Sequence, residues 1–289
     1  MREIQLMEVK KFLPVRKRDS HKGDYGNLLS LCGSTNTVGA AILSAKAALR
    51  CGIGLLNIAL PQSIYAIVAS QVYEPIFTIL QENTAGTIHK NCIDDLMRQM
   101  NKSSAILMGC GLGYNDDTKS IVYEIINKYE RPIVIDADGI NAISDNINIL
   151  KTAKSKIILT PHPGEMARLL HTDVRYIQQN RADIAKEFSQ KYNVVLVLKG
   201  TQTLISSGDG ELFINKIGNA GMATAGSGDV LAGMISAFVA QGIAPLESAK
   251  CGVYLHSLAG DRCANKLSSI SMISSDIINE LPSLFKSLE

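Results

Sequence analysis

The stretch of sequence that decides the fold is Gly226-Ser227-Gly228-Asp229, followed directly by the apolar segment Val230–Val239. Large apolar side chains recur in this segment with the i, i+3, i+4 spacing of a helix, at positions 230, 231, 234, 235 and 238. The spacing predicts that a helix begins at the glycine-rich tetrad and that its first backbone N–H groups are free. Such groups bind anions, and each contact contributes about 0.3–1 kcal/mol at an exposed site.

Asp229 places a negative charge where the backbone favours anions, and this predicts a chemical role for its carboxylate. A carboxylate beside a bound phosphate can accept the proton of a substrate hydroxyl. The alternative is that Ser227 or Asp229 only caps the helix, which is the common role of these residue types at such a position. The tetrad alone leaves both interpretations open.

The rest of the chain alternates short apolar runs with longer helical patterns, which is typical of an α/β protein. The runs are apolar on both faces, as in a mostly parallel sheet that is covered by helices on each side. The predicted strands are Leu28–Leu31, Leu55–Leu60, Ile106–Met108, Ile133–Ile135, Ile157–Leu159 and Val194–Leu198. The predicted helices between them are Val38–Arg50, Ile121–Lys128, Met166–Leu170 and Arg181–Lys191.

After Leu198 the pattern changes to a hairpin and then to helices. Thr203–Ile205 and Leu212–Asn215 flank a glycine- and aspartate-containing turn, which predicts two antiparallel strands. Helices are then predicted at Val230–Gln241, at Glu247–Asn265 and near Asp276–Phe285. Because proline lacks an N–H group and clashes with the preceding turn, we expect the last helix to stop or kink at Pro282.

Four loops rich in glycine or aspartate follow predicted strands, at residues 109–113, 136–141, 160–165 and 199–203. In an open α/β sheet, ligands bind in the crevice outside the carboxyl ends of the strands. The convergence of these loops at one edge is the strongest indication of a site that the sequence contains.

Three of these loops carry candidate ligand-binding side chains. Asp136 and Asp138 offer the oxygen ligands that Mg²⁺ prefers beside phosphates, although a helix cap remains an alternative for Asp138. His162 lies between two prolines whose rigid backbone holds the ring in place, which favours a ligand contact over a structural role. Lys199 ends an apolar strand, where it either neutralises a phosphate or remains a solvated surface lysine.

The candidate motifs lie at the ends of successive strands from residue 21 to residue 229, which favours one domain over residues 1–289, and the features that follow predict a cytoplasmic protein. The chain is 46% hydrophobic and 19% charged with a net charge of +2, which gives no electrostatic case for nucleic acid or an anionic membrane. The six cysteines form no C-x-x-C pair, which favours free thiols. The chain has no signal-peptide pattern and no apolar run near the ~20 residues that span a bilayer.

Six motifs, taken in order, resemble those of the ADP-dependent NAD(P)H-hydrate dehydratases, a branch of the ribokinase-like superfamily. They are HKGDYG (21–26), GCGLG (109–113), DADGIN (136–141), TPHPGE (160–165), KGTQT (199–203) and GNAGMATAGSGDVLAG (218–233). The resemblance covers about residues 20–265 and implies a ribokinase-like three-layer sandwich. It also implies a homotetramer, without the epimerase domain that is fused ahead of this domain in some relatives.

The activity that this resemblance implies is the repair of damaged nicotinamide cofactors. The S-form of hydrated NADH or NADPH would be dehydrated at the expense of ADP, giving AMP and phosphate through transient phosphorylation of the hydrate hydroxyl. The sequence does not decide between ADP and ATP or between the two hydrates. Two other functions stay open: a kinase for a hydroxymethylpyrimidine, a thiazole or a sugar alcohol, and a nucleotide sensor without turnover.

The resemblance also implies roles for individual residues. Asp229 would act as the base, and Mg²⁺ would offset the phosphate charge. Contacts to the hydrated dinucleotide are implied for Ala40 or Ala41, Gly111, His162 and Asp229. The adenine nucleotide would be held by Lys199, Gly200, Thr201, Gln202, Thr203 and Gly228, and the migrating phosphoryl group by Gly226, Ser227 and Gly228. Two departures from the family pattern are visible, since Ala225 replaces a glycine and Cys110 a frequent proline.

Overall fold

The computed structural model describes all residues from Met1 to Glu289 and contains one ten-stranded sheet. The strands are β1 (Arg2–Glu3), β2 (Asn27–Leu31), β3 (Leu55–Pro61), β4 (Ile76–Leu80), β5 (Ala105–Met108), β6 (Ile133–Ile135), β7 (Ile157–Leu159), β8 (Val195–Leu198), β9 (Thr203–Ser206) and β10 (Leu212–Asn215). Their order is β1-β10-β9-β8-β7-β6-β5-β2-β3-β4. Only β9 runs antiparallel to its two neighbours, so the predicted mostly parallel sheet with a hairpin is confirmed.

Helices cover both faces of the sheet, which makes the molecule a three-layer sandwich. They are α1 (Leu6–Phe12), α2 (Val38–Arg50), α3 (Gln62–Gln71), α4 (Ile93–Met100), α5 (Asp116–Lys128), α6 (Ala137–Ile143), α7 (Ile149–Thr152), α8 (Pro163–Leu169), α9 (Val174–Gln179), α10 (Arg181–Tyr192), α11 (Ser227–Ala240), α12 (Pro245–Leu267) and α13 (Ser274–Lys286). Helices α4 to α10 cover one face, and α1 to α3 with α11 to α13 cover the other.

Two hydrophobic clusters result because successive residues of a strand point to opposite faces. Leu28 belongs to the cluster under α11 and its neighbour Leu29 to the cluster under α5. The same alternation holds at Leu107 and Met108 in β5. The run of apolar residues in each central strand therefore serves two cores, as the sequence pattern predicted.

Helix α11 is the central helix of its layer, and every residue from Val230 to Ala240 is buried. It packs against α2 at Gly233, where an added Cβ would lie 2.3 Å from the carbonyl oxygen of Ser44. Glycine is therefore required for the two backbones to approach so closely. The contact brings the N-termini of α2 and α11 to the same end of the sandwich.

One alternative for the last helix is wrong, since α13 does not stop at Pro282 but continues to Lys286. The residues Ile277, Ile278, Leu281 and Leu284 are buried on both sides of the proline, and this packing offsets the missing hydrogen bond. The sequence analysis did not predict strands β1 and β4 or helices α1, α3, α4, α6, α7 and α9. Edge strand β4 carries partly exposed residues and lacks the continuous apolar pattern of the central strands.

All six cysteines are free and buried, in agreement with the expectation from their spacing. None of the helices combines the length and the apolar character needed to cross a membrane.

Candidate functional site

The four predicted loops do converge, because β5, β6, β7 and β8 are parallel and adjacent in the sheet. Their carboxyl ends therefore lie side by side at one edge. The hydrogen bond from the Lys199 N–H to the Pro161 carbonyl, at 2.9 Å, links two of these loops directly. Helix α11 begins above this edge.

The N-terminus of α11 has the free N–H groups that an anion site requires. Gly226 adopts a left-handed conformation with φ of 86°, which turns the chain into the helix. We expected free N–H groups at Gly226, Ser227 and Gly228, but the Ser227 N–H donates to the Thr224 carbonyl at 3.3 Å. The N–H groups of Gly226, Gly228 and Asp229 make no hydrogen bond within the protein. Asp229 therefore takes the place of Ser227 among the three residues whose N–H groups are free.

Asp229 lies in a cluster of ionisable groups under the start of α11. One carboxylate oxygen of Asp229, one of Asp136 and the Cys110 sulfur lie within 4.8 Å of one another. Burial, followed by the negative charge of Asp136, raises the pKa of Asp229 to about 6. A carboxylate of this pKa is ionised at neutral pH and is close to the optimum for a general base.

Lys199 supplies the positive charge of this cluster. Its Nζ donates to Asp136 at 2.8 Å, and the Thr160 hydroxyl donates to the same carboxylate oxygen at 2.6 Å. An added Cβ on Gly228 would lie 3.3 Å from Nζ, so the ammonium group lies against the first turn of α11. Burial by itself would lower the pKa of Lys199, but the charges of Asp136 and Glu165 raise it above its usual value. The lysine therefore stays charged beside the free N–H groups.

The Lys199–Thr203 loop presents a second row of free N–H groups. The backbone N–H groups of Gly200, Thr201 and Gln202 make no hydrogen bond within the protein. Consecutive free backbone N–H groups in a loop bind anionic oxygens in the same way as a helix N-terminus. Together with Lys199, this loop is suited to a ligand that carries phosphate groups.

His162 caps helix α8, a role that the sequence interpretation did not include. Its Nδ1 accepts a hydrogen bond from the Gly164 N–H at 2.9 Å, and its backbone N–H donates to one Glu165 carboxylate oxygen at 2.8 Å. The ring Nε2 lies 3.2 Å from the other Glu165 oxygen. Burial, followed by the charge of Lys199, lowers the pKa of His162, and burial raises the pKa of Glu165 to about 7. About half of the imidazole side chain remains exposed to solvent, so the ring can both cap the helix and contact a ligand.

The predicted contacts in α2 are also at this end of the molecule. An added Cβ on Gly111 would lie 2.8 Å from the Ala40 Cβ, so the GCGLG loop lies against the start of α2. Ala41 is completely buried and faces Gly33, which leaves Ala40 as the better candidate of the pair for a ligand contact.

A sequence model of the NAD(P)H-hydrate dehydratase family matches residues 28–283. The chain belongs to this family.

Curated relatives agree with this assignment. The chain is 36% identical to the ADP-dependent (S)-NAD(P)H-hydrate dehydratase of Neisseria meningitidis over 251 residues, which are 85% of this chain and 80% of the relative. It is 39% identical over 277 residues to the bifunctional NAD(P)H-hydrate repair enzyme of Moorella thermoacetica. That match covers 96% of this chain but 52% of the relative, so the chain spans about half the length of several curated relatives that it matches.

Solved structures confirm the fold. The ADP/ATP-dependent NAD(P)H-hydrate dehydratase from Bacillus subtilis, co-crystallised with ATP and Mg²⁺, superposes with a TM-score of 0.85 at 28% identity and covers 100% of this chain and 99% of its own. A ribokinase-like superfamily protein from Enterococcus faecalis has a TM-score of 0.86 at 26% identity and covers 99% of this chain and 96% of its own. The predicted ribokinase-like α/β class is therefore correct.

The sequence analysis did not identify two residues that lie near the site. The buried His256 in α12 lies 3.4 Å from the Ser227 hydroxyl, and Arg181 at the start of α10 contacts the Lys199–Thr203 loop. Both belong to helices far along the chain from the motifs that they contact. No local spacing indicates such contacts, because only the packing of the helices on the sheet creates them.

Proposed function

We propose that this protein repairs hydrated nicotinamide cofactors. It dehydrates the S-form of NADH or NADPH hydrate with ADP as the phosphoryl donor and releases AMP and phosphate. The observation that carries the proposal is Asp229, a buried carboxylate with a pKa of about 6 beside the free N–H groups of an anion-binding helix. Membership of the NAD(P)H-hydrate dehydratase family supports the choice of substrate.

The chemistry begins with proton transfer to Asp229. The carboxylate takes the proton of the hydrate hydroxyl as the oxygen attacks the terminal phosphorus of ADP, and AMP leaves. The ring nitrogen lone pair then expels the phosphate, and the neighbouring ring carbon loses a proton to restore the double bond. The free N–H groups of Gly226 and Gly228 stabilise the charge on the migrating phosphoryl group.

The two ligands would occupy opposite sides of Asp229. The phosphate-binding features of Lys199–Thr203, three free N–H groups and one lysine, support this segment as the nucleotide site together with Gly228. The contact between Gly111 and Ala40, with the exposed face of His162, supports these three residues as the site of the hydrated dinucleotide.

Mg²⁺ fits Asp136 better than Asp138. Both oxygens of Asp138 are engaged within the protein, since one accepts from the Gly113 N–H at 2.8 Å and the other faces the Asn141 side-chain amide at 3.3 Å. One oxygen of Asp136 accepts from Lys199 and Thr160, but the other accepts only the weak hydrogen bond of the Cys110 thiol at 3.6 Å. This second oxygen can serve as a hard ligand in the cluster with Asp229. When bound, the ion would neutralise phosphate charge, and we propose Asp136 as its ligand.

The experiment that tests the function supplies NADH hydrate, ADP and Mg²⁺ to the purified protein. We expect the dihydronicotinamide absorbance to return, with AMP and free phosphate released in equal amounts and no reaction without nucleotide. A stable phosphate ester of a pyrimidine, thiazole or sugar alcohol, with no action on the hydrate, would establish a kinase and overturn the proposal. Nucleotide binding without any turnover would establish a sensor.

The homotetramer that the family resemblance implies and the cytoplasmic location that the sequence analysis predicts remain predictions. Light scattering of the purified protein measures the first, and a mass other than four times 31.2 kDa contradicts it.

A further inference from the structure

Arg181 makes an unusual set of contacts at the start of α10. Its guanidinium donates to three backbone carbonyls, those of Leu198 at 3.0 Å, Lys199 at 3.1 Å and Gln202 at 3.0 Å. The remaining contact is the Gln178 side-chain oxygen at 3.4 Å. All four acceptors are neutral, and no carboxylate lies within salt-bridge distance of Arg181.

Gly200 packs directly on this guanidinium group. A Cβ added to Gly200 would lie 2.7 Å and 2.9 Å from the two terminal nitrogens of Arg181. These distances are too short for a Cβ atom, so glycine at this position allows the loop backbone to pack closely against the guanidinium group. The segment from Leu198 to Gln202 therefore takes its shape from a side chain on a different element.

The carbonyl contacts also determine the direction of the opposite N–H groups. In a planar trans peptide, the carbonyl of one residue and the N–H of the next point in opposite directions. When Arg181 binds the Lys199 carbonyl, the Gly200 N–H therefore points away from the guanidinium. That N–H has no partner within the protein, so it remains available to a ligand.

We propose that Arg181 is the positioning residue of the nucleotide loop, Lys199–Thr203. It holds the Lys199 and Gln202 carbonyls and so turns the free Gly200 N–H toward the adenine nucleotide. Its unneutralised charge adds to that of Lys199 in attracting phosphate groups. This inference rests on the proposed function in assigning an adenine nucleotide to the loop.

Two substitutions separate the geometric contribution from the charge. Arg181→Met removes both, whereas Arg181→Lys keeps the charge but cannot donate to three carbonyls at once. Arg175 is a matched control, because it is an exposed arginine on the neighbouring helix α9 with no hydrogen bond or ion pair. Arg175→Met changes the net charge by the same amount as Arg181→Met.

The measurement is calorimetric titration with AMP and ADP, together with steady-state constants. We expect Arg181→Met to raise the Kd for ADP by about tenfold or more, since it removes charge-assisted hydrogen bonds that shape the loop. Arg181→Lys should give an intermediate Kd, and Arg175→Met should match the wild type. The KM for ADP should rise with the Kd, while kcat and the KM for the hydrate stay within a few-fold.

Two results would overturn the inference. They are an unchanged ADP affinity in Arg181→Met, whether or not its thermal stability falls, and a wild-type ADP affinity in Arg181→Lys. Because the titration needs no hydrate, a wild-type protein that binds ADP but does not dehydrate the hydrate would contradict the proposed function while leaving this test valid.

Discussion

At the scale of single residues, the raised pKa of Asp229 lowers the stability of the fold but suits the proposed role of this carboxylate as a base. Its pKa of about 6 lies above the usual carboxyl value because burial and the charge of Asp136 disfavour the ionised form. The unfolded chain has no such penalty, so ionised Asp229 lowers the free energy of unfolding at neutral pH. Sites that need a base accept such a cost.

Asp229→Asn should therefore lower turnover and raise stability together. We expect kcat to fall by about 10²–10⁴, the usual contribution of a general base, while ADP affinity stays nearly unchanged. The free energy of unfolding should rise at pH 8, where folded Asp229 is ionised, and the gain should shrink below pH 6, where folded Asp229 is protonated. Turnover within a few-fold of the wild type would exclude Asp229 as the base.

Lys199 links the charge of the cluster to its pH dependence. The kcat/KM should fall as the pH drops through about 6, because Asp229 must be ionised to accept a proton. The positive charge of Lys199 lowers the pKa of Asp229, so Lys199→Ala should move this acid limb to higher pH.

In Lys199→Ala, the KM for ADP should rise more than the KM for the hydrate. If the KM for the hydrate rose more, the two ligand sites would be assigned the wrong way round.

At the scale of the elements, helix α8 depends on His162 for its N-terminal cap. His162→Ala should lower the free energy of unfolding by about 0.5–2 kcal/mol, the usual cost of removing a cap. It should also weaken hydrate binding, because the exposed face of the ring is lost, while AMP titration stays close to the wild type.

His162→Asn separates the two roles of this residue. Asparagine caps helices well, so thermal unfolding of this variant should resemble that of the wild type. It lacks the ring, so hydrate binding should stay weak. If restoring the cap also restored hydrate binding, the ligand contact assigned to His162 would be wrong.

The elements also differ in how far their sequences predict them. The central strands β5 to β8 are evident because burial on both faces makes them continuously apolar. Edge strand β4 is half-exposed, so its pattern resembles that of a loop. Pro282 illustrates the opposite case, since tertiary packing carries α13 through a residue that would end an isolated helix.

At the scale of the whole molecule, the proposed site lies between the starts of α2 and α11 and the ends of four adjacent strands. A ligand that bridges them should stabilise the complete domain, by about 2.7 kcal/mol at a concentration of one hundred times Kd. We expect AMP to raise the melting temperature of the wild type and of Asp229→Asn, but to have a much smaller effect on Lys199→Ala. An equal shift in all three proteins would place the nucleotide elsewhere.

The sequence by itself determined the α/β class, the parallel central sheet and the edge of the sheet at which the proposed site lies. These features follow from local apolar periodicity and from the rule that glycine- and aspartate-containing loops at strand ends form the crevice. The candidate residues Asp229, Lys199 and His162 were identified in the same way, since each stands at a strand end or helix start that its neighbours in sequence define.

Only the tertiary structure decided which charged side chains pair with one another and which side chain supports the nucleotide loop. The pairing of Lys199 with Asp136 joins residues 63 positions apart, and the contact of His256 with Ser227 joins two helices. Arg181 gave no signal in the sequence, where it is one polar residue at the start of a helix. Its contact with the nucleotide loop exists because α10 packs against β8 and β9, and such packing depends on the complete core and not on local spacing.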